Sequence, residues 1–520
     1  MKSDNFARIM IAGTGSGCGK TTITCGILKA LVNRNIKTAA FKCGPDYIDT
    51  MFHTEIVGTN SRNLDSFLCG DNCVKYLFFK NGKKAEISVV EGVMGLYDGI
   101  GNDGSYSSNA MSLLTGTPVV LVVNGKGMSL SIAAMLKGYI HFMPNIIKGV
   151  IINDIAPGTY PMYRKMIGDY TKLKVLGFLP SLPEAILESR HLGLVTASEI
   201  ENLQHKLSLL ANSVEKYIDL DGLMELAQTA LPLEYKPVDI IPINTKEKKD
   251  YDEQREQQRV GSPDIFEKSK TGSIVTRLAC SNILYKSKLC STTIGSSGFE
   301  YAVLSKKHCC NIAVAKDKAF CFYYRDSLEL LEKLGAKLTF FSPLDDERLP
   351  KNIGGLILGG GYPELYAKEL AKNKSMLLDI KMSVNNRIPT YAECGGFMYL
   401  QQAITGMDGN ITPMVGAIKG RSSYQNKLIR FGYASLKAKK DNLFCSEGDS
   451  INMHEFHYYD SDNNGSDFEA TKPNSSRKWD CIFATDTLFA GYPHIHLYGN
   501  INFARRFVQK CSEIQKRVID

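Results

Sequence analysis

The feature that most constrains this chain lies near its amino terminus. Ile9-Met10-Ile11-Ala12 runs into Gly13-Thr14-Gly15-Ser16-Gly17-Cys18-Gly19-Lys20-Thr21-Thr22, and an amphipathic stretch follows over residues 23–32. Strand, glycine loop, Lys-Thr and helix, in that order, are the parts of a P-loop. The glycines let successive backbone N–H groups turn inward on an anion at the positive end of the following helix. Lys20 is then placed to reach the β- and γ-phosphates, and the Thr21 hydroxyl to ligate magnesium. Gly13, Thr14, Gly17, Gly19 and Thr22 complete the predicted nucleotide cradle. One departure stands out: the usual spacing puts a glycine at position 14, where this chain has Thr14, and the glycine sits at Gly13 instead.

The segments after the loop alternate in the same way. Residues 7–12, 38–42, 87–91, 119–124 and 149–153 are short β-rich runs bounded by Gly, Pro or Asp, with room for a helix between them; 173–179 is a further run ending at Pro180. That is the signature of βαβ units and a mostly parallel sheet. A second alternating pattern begins near Asn311, with strands predicted over 312–315, 337–341, 355–358 and 388–392 and a helix over 324–334. The expected fold is therefore α/β, with two tandem domains. Each has a mostly parallel sheet flanked by helices: a P-loop NTPase-like domain over 1–233, then a flavodoxin-like domain over 306–520. Residues 234–305 carry a dense charged run and a stretch rich in Ser, Thr and Lys, and read as a polar linker or insertion.

Composition narrows the partners. Lys+Arg 62 against Asp+Glu 54 gives a net charge of +8 over 520 residues, with no basic block dense enough for a nucleic-acid stripe. The mild excess suits anionic small molecules. The apolar runs fall far short of the ~20 residues a membrane span needs. The 14 cysteines scatter without a Cys-x-x-Cys pair. A cytoplasmic protein with reduced thiols and neither nucleic-acid nor membrane partners is the expectation.

Three acidic clusters follow strands of the first domain: Gly44-Pro45-Asp46-Tyr47-Ile48-Asp49, Val90-Glu91-Gly92 and Met94-Gly95-Leu96-Tyr97-Asp98-Gly99. Open α/β sheets place ligands at these strand ends, and a magnesium–ATP complex needs hard oxygen ligands there. Asp46 and Glu91 are the candidates beside Thr21. Together with the glycine loop and Glu188-Ser189-Arg190-His191-Leu192-Gly193-Leu194, these segments resemble the cobyrinic acid a,c-diamide synthase family, which is related to dethiobiotin synthetase. The resemblance implies enzymes that phosphorylate a carboxylate and let an amine attack the acyl phosphate. It also implies that Asp49, Tyr47 and Asp98 handle the substrate, and that Arg190 and His191 meet its carboxylates.

In the second domain, Tyr391-Ala392-Glu393-Cys394-Gly395-Gly396 puts a cysteine on a sharp strand-to-helix turn. Such a thiol is exposed to substrate, and the helix N-terminus favours its thiolate. Gly395, with Gly360 and Gly361 of an upstream glycine turn, offers backbone donors for an oxyanion. A base is expected about a hundred residues downstream, in Gly491-Tyr492-Pro493-His494-Ile495-His496. The arrangement resembles class I glutamine amidotransferases, whose Cys–His pair releases ammonia from L-glutamine through a thioester. By that resemblance His494 is the base, and His496 stands where other members carry an orienting glutamate. His457, in Glu455-Phe456-His457-Tyr458, resembles a family segment and could line the interface or the glutamine pocket, with a structural role as its default reading.

The resulting expectation is an ATP-, magnesium- and glutamine-dependent ligase amidating the a and c carboxylates of cobyrinate, with ammonia passing directly between the domains and homodimers in solution. The alternatives are the same chemistry on nickel- or cobalt-sirohydrochlorin, the sibling cobyric acid synthase, and a P-loop switch whose second domain only binds partners.

Overall fold

A computed structural model describes residues 2–58, 61–185, 189–190, 193–194, 200, 202–243 and 308–519. The P-loop strand Arg8–Gly13 lies inside a seven-stranded sheet. In spatial order the strands are Arg62–Leu64, Thr38–Cys43, Ile87–Glu91, Arg8–Gly13, Val119–Asn124, Ile147–Asn153 and Lys174–Leu179. Every neighbouring pair is parallel. Alternate residues of these runs enter different cores: Ile9, Ile11, Val120 and Val122 on one face, Met10, Val90, Leu121 and Val123 on the other. Burial on both faces explains why the strands read as continuous apolar runs. The helix Lys20–Asn33 packs with Leu203–Tyr217 on the first face. Phe78 of Asp71–Gly82 and Ile132 of Ser131–Phe142 fill the second.

The second half carries a parallel sheet ordered Ala336–Phe341, Cys310–Ala315, Gly355–Leu358, Thr390–Glu393 and Leu488–Gly491, with Phe483–Ala484 as an antiparallel edge. The α/β expectation holds for both halves. The edge strand Arg62–Leu64 was not expected, because Arg-Asn-Leu carries no apolar pattern. Nor was a further seven-stranded sheet built on the antiparallel pair Arg421–Ala438 and Ser450–Ser461. Along Ser450–Ser461 every second residue from Ile451 to Ser461 is buried. Glu455, His457 and Ser461 are among them, so polar residues hide the period-2 signal. His494–Ile495 joins this sheet beside Met453 and His454.

The described residues of Met1–Ile243 and Cys309–Asp520 form one compact unit. Arg62 reaches Asp326 and Glu329 at 2.6 Å each, the Tyr433 hydroxyl donates to Asp65 at 2.6 Å, and Asn452 donates to the Phe67 carbonyl at 2.7 Å. Tyr47, Phe67, Leu68 and Tyr324 form an apolar cluster at the same seam. The expected boundary between 233 and 234 falls inside the strand Leu233–Tyr235, which pairs with Lys2–Asp4, and within the expected linker the Ile243 amide donates to the Leu334 carbonyl at 2.9 Å. Residues 244–307 lie outside the described part. Among the described residues no helix is long and apolar enough to cross a membrane.

Candidate active site

At the P-loop, Gly17 and Gly19 adopt φ of 75° and 98°, left-handed values that favour glycine. A Cβ on Gly13 would fall 2.3 Å from Cys18 Sγ and 2.8 Å from the Lys20 stem, so the displaced glycine serves close packing against the lysine. Thr14 takes part through its backbone: its amide donates to Val122 O at 3.1 Å, and its carbonyl accepts from the Tyr139 hydroxyl at 2.5 Å. Lys20 curls over the loop, its ammonium 3.0 Å from Gly15 O, and burial pushes its pKa down. Thr22 follows in the first turn of the helix.

Beneath the loop lies a buried charge network. The Thr21 hydroxyl donates to Glu91 Oε1 at 2.6 Å, and Lys42 Nζ lies 2.9 Å from the same oxygen and 2.5 Å from Asp49. His53 Nε2 meets Glu91 Oε2 at 2.8 Å. Burial works against the Glu91 charge, yet Lys42, His53 and Thr21 outweigh it and hold the carboxyl well below its usual range. Asp49 moves the other way, raised by burial and by the Asp46 and Glu91 charges. Asp46 Oδ1 accepts from the Ile48 and Asp49 amides at 2.8 and 3.1 Å and so starts the helix Ile48–Val57. Asp98 is exposed and accepts from the Gly95 amide at 2.8 Å.

The elbow has a different construction. Cys394 sits at φ 46° and ψ −102°, costly for a residue with a side chain, between the strand Thr390–Glu393 and the helix Gly395–Leu400. Its amide is tied to Gly491 O at 2.8 Å. A Cβ at Gly396 would strike Leu358 O at 2.0 Å, and one at Gly395 would lie 3.1 Å from the Gly361 amide nitrogen. The Gly361 and Gly395 backbones therefore approach each other at this turn. Gly360 makes room for the imidazole, since a Cβ there would come within 2.6 Å of His494 Cε1.

His494 and Cys394 line the same cavity. Burial opposes a charge on this imidazole, but Cys394 and Glu393 overcome it and raise its pKa to about 10. His496 points elsewhere: its Nδ1 accepts from the Tyr498 amide at 3.3 Å, its ring lies 4.9 Å from that of Tyr324, and burial lowers its pKa to about 3. The carboxylate beside His494 is Glu393, with Oε2 at 3.5 Å from Nδ1. His457 stacks 4.0 Å from Tyr492, bonds Glu455 at 2.9 Å and lines the same cavity as Cys394 and His494.

Tyr47 is not turned toward the phosphate loop. Its ring stacks on Phe322 at 5.1 Å and lies 5.3 Å from the His494 ring, which carries this residue of the first half to the thiol site of the second. Arg190 is placed only as backbone, in a two-residue strand pairing with Gly193–Leu194, and His191 lies outside the described residues. A cavity of about 500 Å³ is lined by Cys394 and His494 on one side and by Asp46, Val93, Met94 and Gly99 on the other.

Sequence reading missed three residues of these sites. Lys42 was visible as a lysine ending a buried strand beside acids. His53 stands four residues after Asp49 on one helix, hence on one face. Glu393 was visible as a carboxylate in a buried strand immediately before the cysteine.

A phosphate-binding loop over a parallel sheet, joined to a cysteine elbow with a facing imidazole, defines a nucleotide-binding glutamine amidotransferase, an enzyme that joins nitrogen to carbon. Residues 9–194 match the CobQ/CobB/MinD/ParA nucleotide binding domain, and residues 311–501 match the CobB/CobQ-like glutamine amidotransferase domain. The chain belongs to the cobyrinate a,c-diamide synthase family. It is 37% identical over 512 residues to the cobyrinate a,c-diamide synthase of Caldanaerobacter subterraneus subsp. tengcongensis, covering 98% of this chain and 99% of that one. The Clostridium acetobutylicum synthase is 37% identical over 508 residues, covering 96% and 99%. That of Salmonella typhimurium is 36% identical over 502 residues, covering 94% of each.

Proposed function

We propose that this protein converts the a and c side-chain carboxylates of cobyrinate to amides, with ATP as activator and glutamine as nitrogen donor. The relatives' shared name supplies the substrate. The observation that carries the coupling is the cavity common to Cys394, His494, Asp46 and Met94.

The Cys394 thiolate attacks the glutamine side-chain carbonyl, and His494 gives its proton to the leaving ammonia. The Gly361 and Gly395 amides receive the oxyanion, and water then releases glutamate. In the other half the substrate carboxylate attacks the γ-phosphorus of ATP, with ADP leaving, while Lys20 and the loop amides hold the phosphates. Ammonia attacks the acyl carbon and phosphate departs. Asp46 and Asp98, at the strand ends, face this second reaction. Ammonium is protonated and unreactive at neutral pH, so a shared cavity keeps the free base away from bulk water.

Magnesium fits the donor set. The Thr21 hydroxyl and the Glu91 carboxylate already touch, and Asp46 is the nearby second carboxylate. Among the described residues no group of three or more His, Cys, Asp or Glu side chains is arranged to hold a metal. When bound, the ion would neutralise charge on the transferring phosphoryl group. ATP and glutamine as substrates assign the reaction to the cytoplasm.

Mass spectrometry of a panel of tetrapyrrole acids, incubated with enzyme, ATP, magnesium and glutamine, tests the proposal. Each carboxylate converted to an amide lowers the mass by about 1 Da. Cobyrinate losing two such steps supports it; unchanged cobyrinate beside a converted sirohydrochlorin overturns it. Excess unlabelled ammonium should fail to dilute amide-labelled glutamine nitrogen in the product.

A further inference from the structure

The position two residues after the catalytic imidazole holds His496, and His496 faces Tyr324 and the Tyr498 amide rather than His494. An imidazole that takes and gives protons still needs its far nitrogen oriented. We infer that Glu393, the residue before the nucleophile, is the positioning carboxylate of this amidotransferase, and that the reactive unit is Glu393–Cys394–His494.

The geometry is specific. Glu393 is buried at the end of a central strand. Its Oε1 accepts from the Tyr391 hydroxyl and from the Ile495 amide, the latter at 2.9 Å. Its Oε2 faces His494 Nδ1 at 3.5 Å. One carboxylate thus holds the backbone immediately after His494 with one oxygen and addresses the ring with the other. The strand pairing Thr390–Glu393 with Leu488–Gly491 fixes both partners in register, with Glu393 opposite Gly491. The other titratable groups around this imidazole are Cys394, Tyr47 from the first half, and His454 across the strand pair. His454 stays neutral near pH 7, its pKa lowered to about 3 by burial and by His494. Tyr47 is held protonated by burial. Glu393 therefore supplies the carboxyl group beside the imidazole, 3.5 Å from its Nδ1.

The inference rests on the glutaminase reading above, and the experiment separates the two. Glu393→Gln keeps the size of the side chain and removes its charge. Glutaminase kcat should fall at least about tenfold, toward the ~10⁴-fold seen when a serine-hydrolase triad loses its carboxylate function, with KM for glutamine nearly unchanged. The alkaline limb of the kcat–pH profile should move to lower pH, because the imidazolium loses its counter-charge. Alkylation of the Cys394 peptide, followed by mass spectrometry, should show the same downward displacement. Amidation driven by ammonium in place of glutamine should persist, which reports an intact fold. Tyr391→Phe, which removes one support of the carboxylate, should lower kcat a few-fold and move the limb the same way, and it serves if the first variant fails to fold. An unchanged limb and kcat in Glu393→Gln, with a displaced limb in His496→Gln, would overturn the inference while leaving the glutaminase reading intact. Glutamine hydrolysis persisting in Cys394→Ser would instead overturn that reading itself.

Discussion

Two strand-to-helix turns, each at the carboxyl end of a parallel strand, do opposite things with the same topology. The turn ending in Lys20 is built from glycines with positive φ, and its own backbone is relaxed. Its difficulty is charge: Lys42, Asp49, Glu91 and His53 are buried together under the loop and must satisfy one another. The turn at Cys394 carries a side chain at φ 46°, so its difficulty is conformation. Its charge is confined to one thiol, one imidazole and one carboxylate. A turn that binds an anion keeps countercharges ready and leaves its amides exposed; a turn that presents a nucleophile is locked by neighbours so close that glycines must surround it.

The comparison can be broken most sharply at the reactive side chains. Cys394→Ser should lower glutamine-dependent amidation by about 10³-fold or more while ammonium-dependent amidation continues. Lys20→Met should abolish both, since either nitrogen source needs the activated carboxylate. Equal loss of the two activities in Cys394→Ser, measured by product mass, would mean that the turns are not separable. A smaller effect tests the buried charges. Lys42→Met leaves Glu91 and Asp49 without their shared cation and should cost about 3–5 kcal/mol in urea unfolding. A change under 1 kcal/mol would show that the carboxyls accept protons instead.

The seam between the halves gives a pH-dependent test. Burial pushes the Asp65 carboxyl up to about 6, against the pull of Tyr433 and the Leu68 amide. A carboxyl raised above its unfolded value of about 3.9 stabilises the fold fully below that value, and the contribution is lost as pH rises through 6. Between pH 4 and pH 7 the protein should therefore lose about 2 kcal/mol relative to Asp65→Asn, read from paired urea titrations. Equal pH slopes for the two proteins would contradict it. The smallest effect belongs to Arg34, whose pairs with Glu215 and Asp221 are largely solvent-exposed. Arg34→Ala should shift stability by no more than about 1 kcal/mol in the same assay.

How much of this was legible follows from the same physics. Strands buried on both faces advertise themselves as apolar runs, so both parallel sheets could be read directly. The sheet around Ser450–Ser461 could not, because its buried face includes Glu455 and His457, which pair with each other. The phosphate loop and the cysteine turn were readable because glycine spacing is a local property. Partnerships across the chain were not. Nothing local distinguishes His496 from Glu393 as the neighbour of His494, since the choice depends on which strand lies beside Leu488–Gly491. Tyr47 shows the same limit: its motif belongs to the first half, and its ring packs in the second.

That strand alignment also acts as a safeguard during assembly. The thiol and its imidazole are a hundred positions apart in the sequence, and a hydrogen bond from the Cys394 amide to Gly491 brings their segments side by side. A slip of one residue would turn every side chain of the strand to the opposite face. On the proposed roles of Cys394 and His494, an incompletely folded chain would hold no competent hydrolase, and glutamine would be spared until the central strands have found their partners.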